Sequence, residues 1–186
     1  MSIDMDPFRQ VSNLNLVFEN DNFIILDKHA GFLSVPSRIG AKDTRPCVGI
    51  LLQAKLGAQV FPVHRLDLEV SGALLFAKNP SSHRRASQWF ESGQVQKYYE
   101  ALTPKVASLD LELNAKMVWR SNLVRGKKRT FTAPHGKPSE THAWAISFED
   151  EKSAFVKWRL SPKTGRSHQL RVHLKDNYAP IIGDIL

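Results

Sequence analysis

The segment His64-Arg65-Leu66-Asp67 places a carboxylate just ahead of Ser71-Gly72 and the short apolar run from Ala73 to Ala77. A carboxylate in a turn before a core strand is held rigidly and still opens to solvent on one side. Such a group can be a nucleophile or a general base. A turn aspartate that only caps backbone amides would give the same pattern. The residues alone leave both roles open for Asp67.

The densest polar stretch runs from Thr164 to His173. Gly165 permits a tight turn. On a helix that follows this turn, His168 and Arg171 would lie three residues apart and share a face. A guanidinium in that position could pair with a carboxylate or with a phosphate.

A third candidate is the tyrosine pair in the predicted strand around Lys97 to Ala101. Alternation along a strand puts Tyr98 and Tyr99 on opposite faces. One ring could belong to the core while the other faces a cleft, and the pattern does not decide which.

The chain carries 26 basic and 18 acidic residues, for a net charge of +8 and a pI near 9.7. A basic surface attracts phosphate backbones or anionic membranes. The net charge alone fits a merely soluble basic protein equally well. Residues 115–139 and 152–175, however, each hold seven cations and no acid, a distribution typical of an electrostatic footprint for nucleic acid. Gly and Pro interrupt both segments, which argues against an amphipathic membrane helix.

Other classes of protein fit the composition poorly. With 186 residues and 42% hydrophobic residues, the chain can form one domain with a proper core. Its apolar runs are too short to cross a bilayer. The N-terminus, with Asp4 and Asp6, does not have the pattern of a signal peptide. Cys47 is the single cysteine, so an internal disulfide and a thiolate zinc cluster are excluded. We expect a cytoplasmic protein.

The chain also lacks the spacing of a metal site and a Gly-rich phosphate loop, so we expect no metal and no cofactor. Residues 1–13 are predicted to be flexible, and residues 14–186 to form the functional domain. Periodicity predicts the following strands and helices: strands at 16–18, 23–26, 73–77, 95–102, 141–148 and 154–160, and helices from Asp43-Thr44 to Gly57, from Ser81 to Ser92 and from His168 to Lys175. This order indicates the α+β class around a largely antiparallel or mixed sheet.

With these motifs in place, the chain resembles the RluA-type pseudouridine synthases. The resemblance rests on three motifs in family order: His64-Arg65-Leu66-Asp67 with Ser71-Gly72 and Ala77-Lys78, Lys97-x-Tyr99-x-Ala101, and Thr164-Gly165-Arg166-x-His168-Gln169-Leu170-Arg171-x-His173. Weaker echoes are Asp27-Lys28 with Gly31, the stretch Gly136-Lys137-Pro138 with Thr141, and Ile182-Gly183-Asp184. The matches extend from about residue 16 to 184. Family members usually continue past the last of these motifs.

The resemblance implies a role for each matching residue. Asp67 matches the essential aspartate, Tyr99 the active-site tyrosine, and Arg171 the arginine that pairs with the aspartate. Arg65 matches an arginine that helps displace the target nucleotide from the RNA stack. The remaining predicted RNA contacts are His64, Arg166, His168, Gln169, Lys127, Lys128 and Arg129.

The family fold is an α+β domain with a long bent mixed or antiparallel sheet, flanking helices and an RNA-binding cleft, and it uses no cofactor or metal. The resemblance therefore predicts an enzyme that isomerises uridine in structured RNA, either rRNA or tRNA, and we expect it to act as a monomer. A catalytically silent RNA-binding module with the same fold is the alternative. Asp67, Tyr99 and Arg171 together favour the enzyme, because RNA binding needs cations and stacking but not this carboxylate.

Overall fold

A computed structural model describes residues 14–106, 110–127, 129–148 and 154–184 of the protein. The predicted flexible segment, residues 1–13, lies outside the described residues. The chain forms two compact units: the first unit ends at Gln94 and the second unit begins at Val95.

The first unit has a four-stranded antiparallel sheet with the strand order β1-β2-β4-β3. Its elements are β1 (Asn15–Glu19), β2 (Phe23–Lys28), a short 3-10 helix (Gly40–Lys42), α1 (Val48–Leu56), β3 (Phe61–Pro62), β4 (Gly72–Ala77) and α2 (Pro80–Glu91). The predicted opening hairpin and the predicted buried strand β4 are both confirmed.

Alternating apolar residues build the core of this sheet. Ile24 and Leu26 of β2 and Leu74 and Phe76 of β4 are completely buried, and they pair across the two strands. The side chain of Asn20 closes the β1–β2 turn by accepting backbone hydrogen bonds from two residues of the turn. Burial of large aliphatic and aromatic side chains of this kind contributes about 1.5–3 kcal/mol each.

The observed range of helix α2 differs from the predicted range, Ser81 to Ser92, by one residue at each end. Asn79 caps it by accepting a hydrogen bond from the amide of Ser82, and Gly93 follows it in the left-handed region with φ +73°. The predicted start of α1 at Asp43-Thr44 is wrong. The Asp43 carboxylate binds the Arg45 guanidinium instead of capping the helix, and Cys47 is still extended, so the helix begins only at Val48.

The second unit has a five-stranded antiparallel sheet with the strand order β5-β9-β8-β6-β7. Its elements are β5 (Tyr99–Pro104), β6 (Met117–Arg125), β7 (Thr130–Thr132), β8 (Lys137–Phe148), β9 (Phe155–Pro162) and α3 (Gln169–Asn177). The predicted strand at 95–102 begins four residues late, because pairing with β9 covers only Tyr99 to Pro104.

Trp158 is the centre of the second core. It is fully buried, its ring lies 5.4 Å from that of Trp119, and its indole N–H donates to Thr103 Oγ1 at 2.9 Å. Ala145 lies opposite Trp158 on the neighbouring strand. The inward face of β8 thus carries small residues that leave room for the large side chain on β9.

The α+β class is confirmed. Every strand pair in the described ranges is antiparallel, and the one parallel contact there is an isolated bridge between Leu33 and Cys47.

Candidate active site

Asp67 lies on the loop that joins β3 to β4, a position that leaves it half-buried. The residue before it, Leu66, is 7% exposed and anchors the loop in the core. The residue before that, Arg65, is exposed. The amide of Val70 donates to the carbonyl of Asp67 at 3.2 Å and closes a turn. The loop therefore presents a carboxylate and a guanidinium from a fixed backbone.

The backbone on both sides of Asp67 is held by polar groups from residues 28–34. The Ser34 hydroxyl bonds both the N–H and the carbonyl of Leu66. The carbonyl of Leu68 accepts from the amide of Gly31 at 2.8 Å and from Lys28 Nζ at 3.3 Å. Each neighbour of Asp67 is thus tied to a distant part of the chain.

Lys28 brings a buried positive charge to this loop. Its ammonium also donates to the carbonyls of His29 at 3.0 Å and Phe32 at 2.8 Å. Burial lowers the pKa of the Lys28 ammonium, while the negative charges of Glu69 and Asp67 act in the opposite direction. The backbone carbonyls and these two carboxylates compensate the buried cation.

His64 has a place inside the first unit. Its Nε2 accepts a hydrogen bond from the amide of Leu75 at 3.2 Å, and its ring stacks on Phe90 with centroids 5.0 Å apart. These contacts hold the start of the His64–Asp67 segment against β4 and α2. The predicted contact of His64 with RNA stays a prediction.

In the second unit, Tyr99 is the first residue of β5 and packs, half-buried, against the core around Trp158. Tyr98 precedes the strand and is 60% exposed, and its hydroxyl bonds Gln96. The two rings therefore differ in environment, although Tyr98 lies outside the strand on which the prediction placed it.

Arg171 extends from the first turn of α3 and binds Asp184 through two parallel contacts, with Nε donating to Oδ2 at 2.7 Å and the terminal nitrogen donating to Oδ1. The two side chains are 16% and 8% exposed. The resemblance had marked Asp184 only as part of a weak motif and gave it no role. A carboxylate after a glycine turn is the signal that could have identified it, since Gly183 has a φ of +80°. The predicted pairing of Arg171 with Asp67 stays a prediction.

Gln169 is the residue whose predicted role the geometry changes. It is 3% exposed, and its amide makes four hydrogen bonds: Oε1 accepts from Thr164 Oγ1 and from the Arg166 amide, while Nε2 donates to the Glu140 carbonyl and to Thr141 Oγ1. The amide of a glutamine has no further N–H to donate, so its side chain fixes the loop at 164–168 and is not exposed for RNA.

The predicted helix face shared by His168 and Arg171 is also wrong. Helix α3 begins at Gln169, and His168 is its N-cap in the left-handed region, with φ 53°. The side chain of His168 contacts Arg125 of β6, with Nε2 3.1 Å from the guanidinium nitrogen, whereas Arg171 binds Asp184.

Arg125 also donates to the Ser167 hydroxyl, so it joins the β6–β7 hairpin to the loop at 164–168. Of the predicted basic contacts on that hairpin, Lys127 and Arg129 are exposed and Lys128 lies outside the described residues. Arg166 is also exposed, with its Nε donating to the carbonyl of Pro138 at 3.0 Å. The structure thus brings the hairpin cations and the loop cation into one linked region.

Within the described ranges, no group of three His, Cys, Asp or Glu side chains is arranged to hold a metal ion. In the same ranges, no helix is both long enough and apolar enough to span a bilayer.

Comparison with known proteins identifies the family. Residues 22–176 match the family described as RNA pseudouridylate synthase. The chain belongs to this family. The resemblance to the RluA-type synthases is confirmed, and with it the expected enzyme class, an isomerase that acts on uridine in RNA.

Relatives of this family cover nearly the whole chain. An uncharacterized RNA pseudouridine synthase of Zymomonas mobilis is 34% identical over 172 residues, which are 91% of this chain and 76% of that protein. The dual-specificity RNA pseudouridine synthase RluA of Escherichia coli is 30% identical over 176 residues, 92% of this chain and 75% of that protein. The human RNA Pseudouridylate Synthase Domain Containing 1 has the same fold, with a TM-score of 0.71 at 24% identity over 94% of this chain and 69% of its own.

Proposed function

We propose that this pseudouridine synthase uses Asp67 as its catalytic carboxylate and acts on structured RNA, either rRNA or tRNA. The observation that carries the assignment is the Asp67 loop itself. The half-buried Asp67 lies between two residues, Leu66 and Leu68, whose backbone groups are held by hydrogen bonds, and it belongs to the motif on which the resemblance rests. Such fixed placement is what a nucleophile needs.

The reaction begins with access to the base. A uridine inside folded RNA must leave its stack, at a cost of roughly a few kcal/mol. Arg65 is exposed beside Asp67, and its guanidinium can occupy the vacated space or hold the displaced phosphate.

Chemistry then follows at the flipped nucleotide. The ionised Asp67 attacks the sugar or the uracil ring, the bond between C1′ and N1 breaks, and the uracil turns. A bond forms between C1′ and C5, the proton on C5 leaves to solvent while the released N1 takes up a proton from solvent, and Asp67 is released as a carboxylate. Atoms and charges balance without an oxidant, a metal or a cofactor.

Two residues of the second unit complete the assignment. Tyr99 stacks on the uracil and holds it while the glycosidic bond is open. Arg171 is the second, an active-site cation by its motif, and its guanidinium is oriented by Asp184. We further propose that the enzyme works in the cytoplasm as a monomer.

Release of the C5 proton tests the assignment. RNA transcribed with uridine tritiated at C5 should lose tritium to water when wild-type protein turns over, and Asp67→Asn should abolish the release, because a neutral amide is a poor nucleophile. RNA affinity should stay roughly unchanged, since phosphate contacts dominate binding.

The matched control is Asp21→Asn, which removes the same charge from an exposed turn of the same unit. Tritium release by Asp67→Asn at the rate of Asp21→Asn would remove Asp67 from the mechanism. No release by wild-type protein from either tRNA or rRNA transcripts would contradict the proposed substrates.

A further inference from the structure

Ser34 is a buried serine that lies outside the motifs on which the resemblance rests. It is 3% exposed. Its hydroxyl donates to the carbonyl of Leu66 at 2.8 Å and accepts from the amide of Leu66 at 3.0 Å. One side chain thus bonds both polar backbone groups of the residue that precedes Asp67, across 32 positions of sequence.

Ser34 is itself held firmly. The residue before it, Leu33, donates to the carbonyl of Pro46 and accepts from the amide of Val48, both at 2.8 Å. Helix α1 approaches so closely that a Cβ on Gly49 would lie 3.3 Å from the carbonyl oxygen of Ser34. The hydroxyl therefore extends from a segment that is fixed to the first turn of a helix.

We infer that Ser34 is a positioning residue for Asp67, an inference that rests on the proposed function. The orientation of the Leu66 peptide groups sets the direction in which the next Cα carries its side chain. A hydroxyl that bonds both groups allows a single orientation, and buried backbone groups of this kind rarely go without partners. A misplacement of about 1 Å at a reacting group can cost on the order of 100-fold in rate.

The far side of the loop is held independently. The carbonyl of Leu68 is bound by Gly31 and Lys28, and neither bond involves the Ser34 hydroxyl. Loss of the Ser34 hydroxyl should therefore leave the loop attached while the carboxylate loses its defined direction. Catalysis should suffer much more than folding or RNA binding.

The test compares Ser34→Ala with Ser82→Ala, using an RNA transcript on which the wild-type protein is active. Ser82 is equally buried, at 3% exposed, in the same unit, and its hydroxyl donates to Asn22 rather than to the Asp67 loop. Single-turnover tritium release with enzyme in excess gives the rate, filter binding gives the RNA affinity, and thermal unfolding gives the stability.

Ser34→Ala should lower the single-turnover rate about 10- to 100-fold while RNA affinity changes less than about 2-fold. Ser82→Ala should lose comparable stability and keep its rate within about 2-fold of wild type. Ser34→Cys fills nearly the same space with a weaker donor and acceptor, so its rate should fall between wild type and Ser34→Ala.

Equal rates for Ser34→Ala and Ser82→Ala would overturn the inference. If Ser34→Ala does not fold, Ser34→Cys decides alone, and a wild-type rate in that variant overturns it as well. An inactive wild-type protein refutes the proposed function instead, and this outcome is distinct from an active wild type with an unaffected Ser34 variant.

Discussion

The first unit carries 10 basic and 9 acidic residues, whereas the second unit carries 16 basic and 9 acidic residues. Nearly all of the net charge of +8 thus belongs to the second unit. The candidate nucleophile, Asp67, belongs to the nearly neutral unit. We therefore expect the second unit to contribute most of the attraction to RNA phosphates, while the first unit places the carboxylate.

The two units also fix their candidate residues by different bonds. Around Asp67, the side chains of Ser34 and Lys28 bind main-chain groups. In the second unit, two arginines bind other side chains, Arg171 with Asp184 and Arg125 with His168, although Arg166 binds a main-chain carbonyl. Main-chain bonds fix one direction for a single carboxylate, whereas side-chain bonds orient long cations that would otherwise sample many rotamers.

Among the variants that compare the two units, the largest effect is expected from the Arg171–Asp184 pair. Arg171→Lys should lower tritium release about 100-fold, because an ammonium cannot make the two parallel contacts of a guanidinium. Asp184→Asn should lower it about 10-fold, since the arginine keeps its charge but loses its orientation. Asp110→Asn, which changes an exposed acid of the same unit, is the control. A wild-type rate in Asp184→Asn would mean that Arg171 does not depend on this pair.

The next effect concerns the unequal charge of the two units. Replacing Lys127 and Arg129 together with neutral residues should reduce the magnitude of the slope of log RNA affinity against log salt concentration. The expected reduction is about 1.4–1.8, if each cation neutralises one phosphate. The control removes the exposed cations Lys55 and Arg84 of the first unit and should leave the slope unchanged. Equal changes in both double variants would show that RNA binding does not distinguish the units.

The smallest effect is a pH dependence of stability that belongs to His173. This residue is 1% exposed, its Nε2 lies 2.9 Å from the hydroxyls of Ser121 and Ser139, and burial lowers its pKa below 6.5. As the pH is lowered, His173 therefore takes up its proton in the unfolded chain at a higher pH than in the folded protein. The free energy of unfolding should therefore be highest above about pH 6.5 and fall as the pH is lowered through the folded-state pKa.

Chemical denaturation at about pH 7.5 and about pH 5.5 measures this difference. His173→Gln cannot titrate and should show a smaller loss of stability between the two values. His135→Gln, at an exposed turn of the same unit, should behave like wild type. An unchanged pH dependence in His173→Gln would assign the titration to another group.

Local signals predicted those elements whose ends are set by their own residues. Asn79 and Pro80 gave the start of α2 because the capping side chain and the helix it caps are adjacent in sequence. The start of α1 was predicted wrongly, because the cap-like Asp43 bonds Arg45 instead. The limits of β5 were also wrong, since a strand ends where its partner ends and the partner is far away in the chain.

The sequence predicted those residues of the candidate site that belong to the motifs of the resemblance. Those motifs named Asp67 and Arg171, but they did not show that Asp184 orients the arginine or that Ser34 bonds Leu66. Gln169 appeared as a surface contact because its polarity is the same whether it faces RNA or four partners in the interior. Sequence gives the type of a polar group, and only the fold gives its partner.

The order of the Asp67 contacts along the chain has a consequence for protein synthesis. The loop is bound by residues that precede it in the chain, namely Lys28, Gly31 and Ser34. These residues leave the ribosome before Leu66 and Leu68 do. His64 depends instead on the amide of Leu75, which emerges later. The attachments of this loop therefore cannot be complete before β4 has been made.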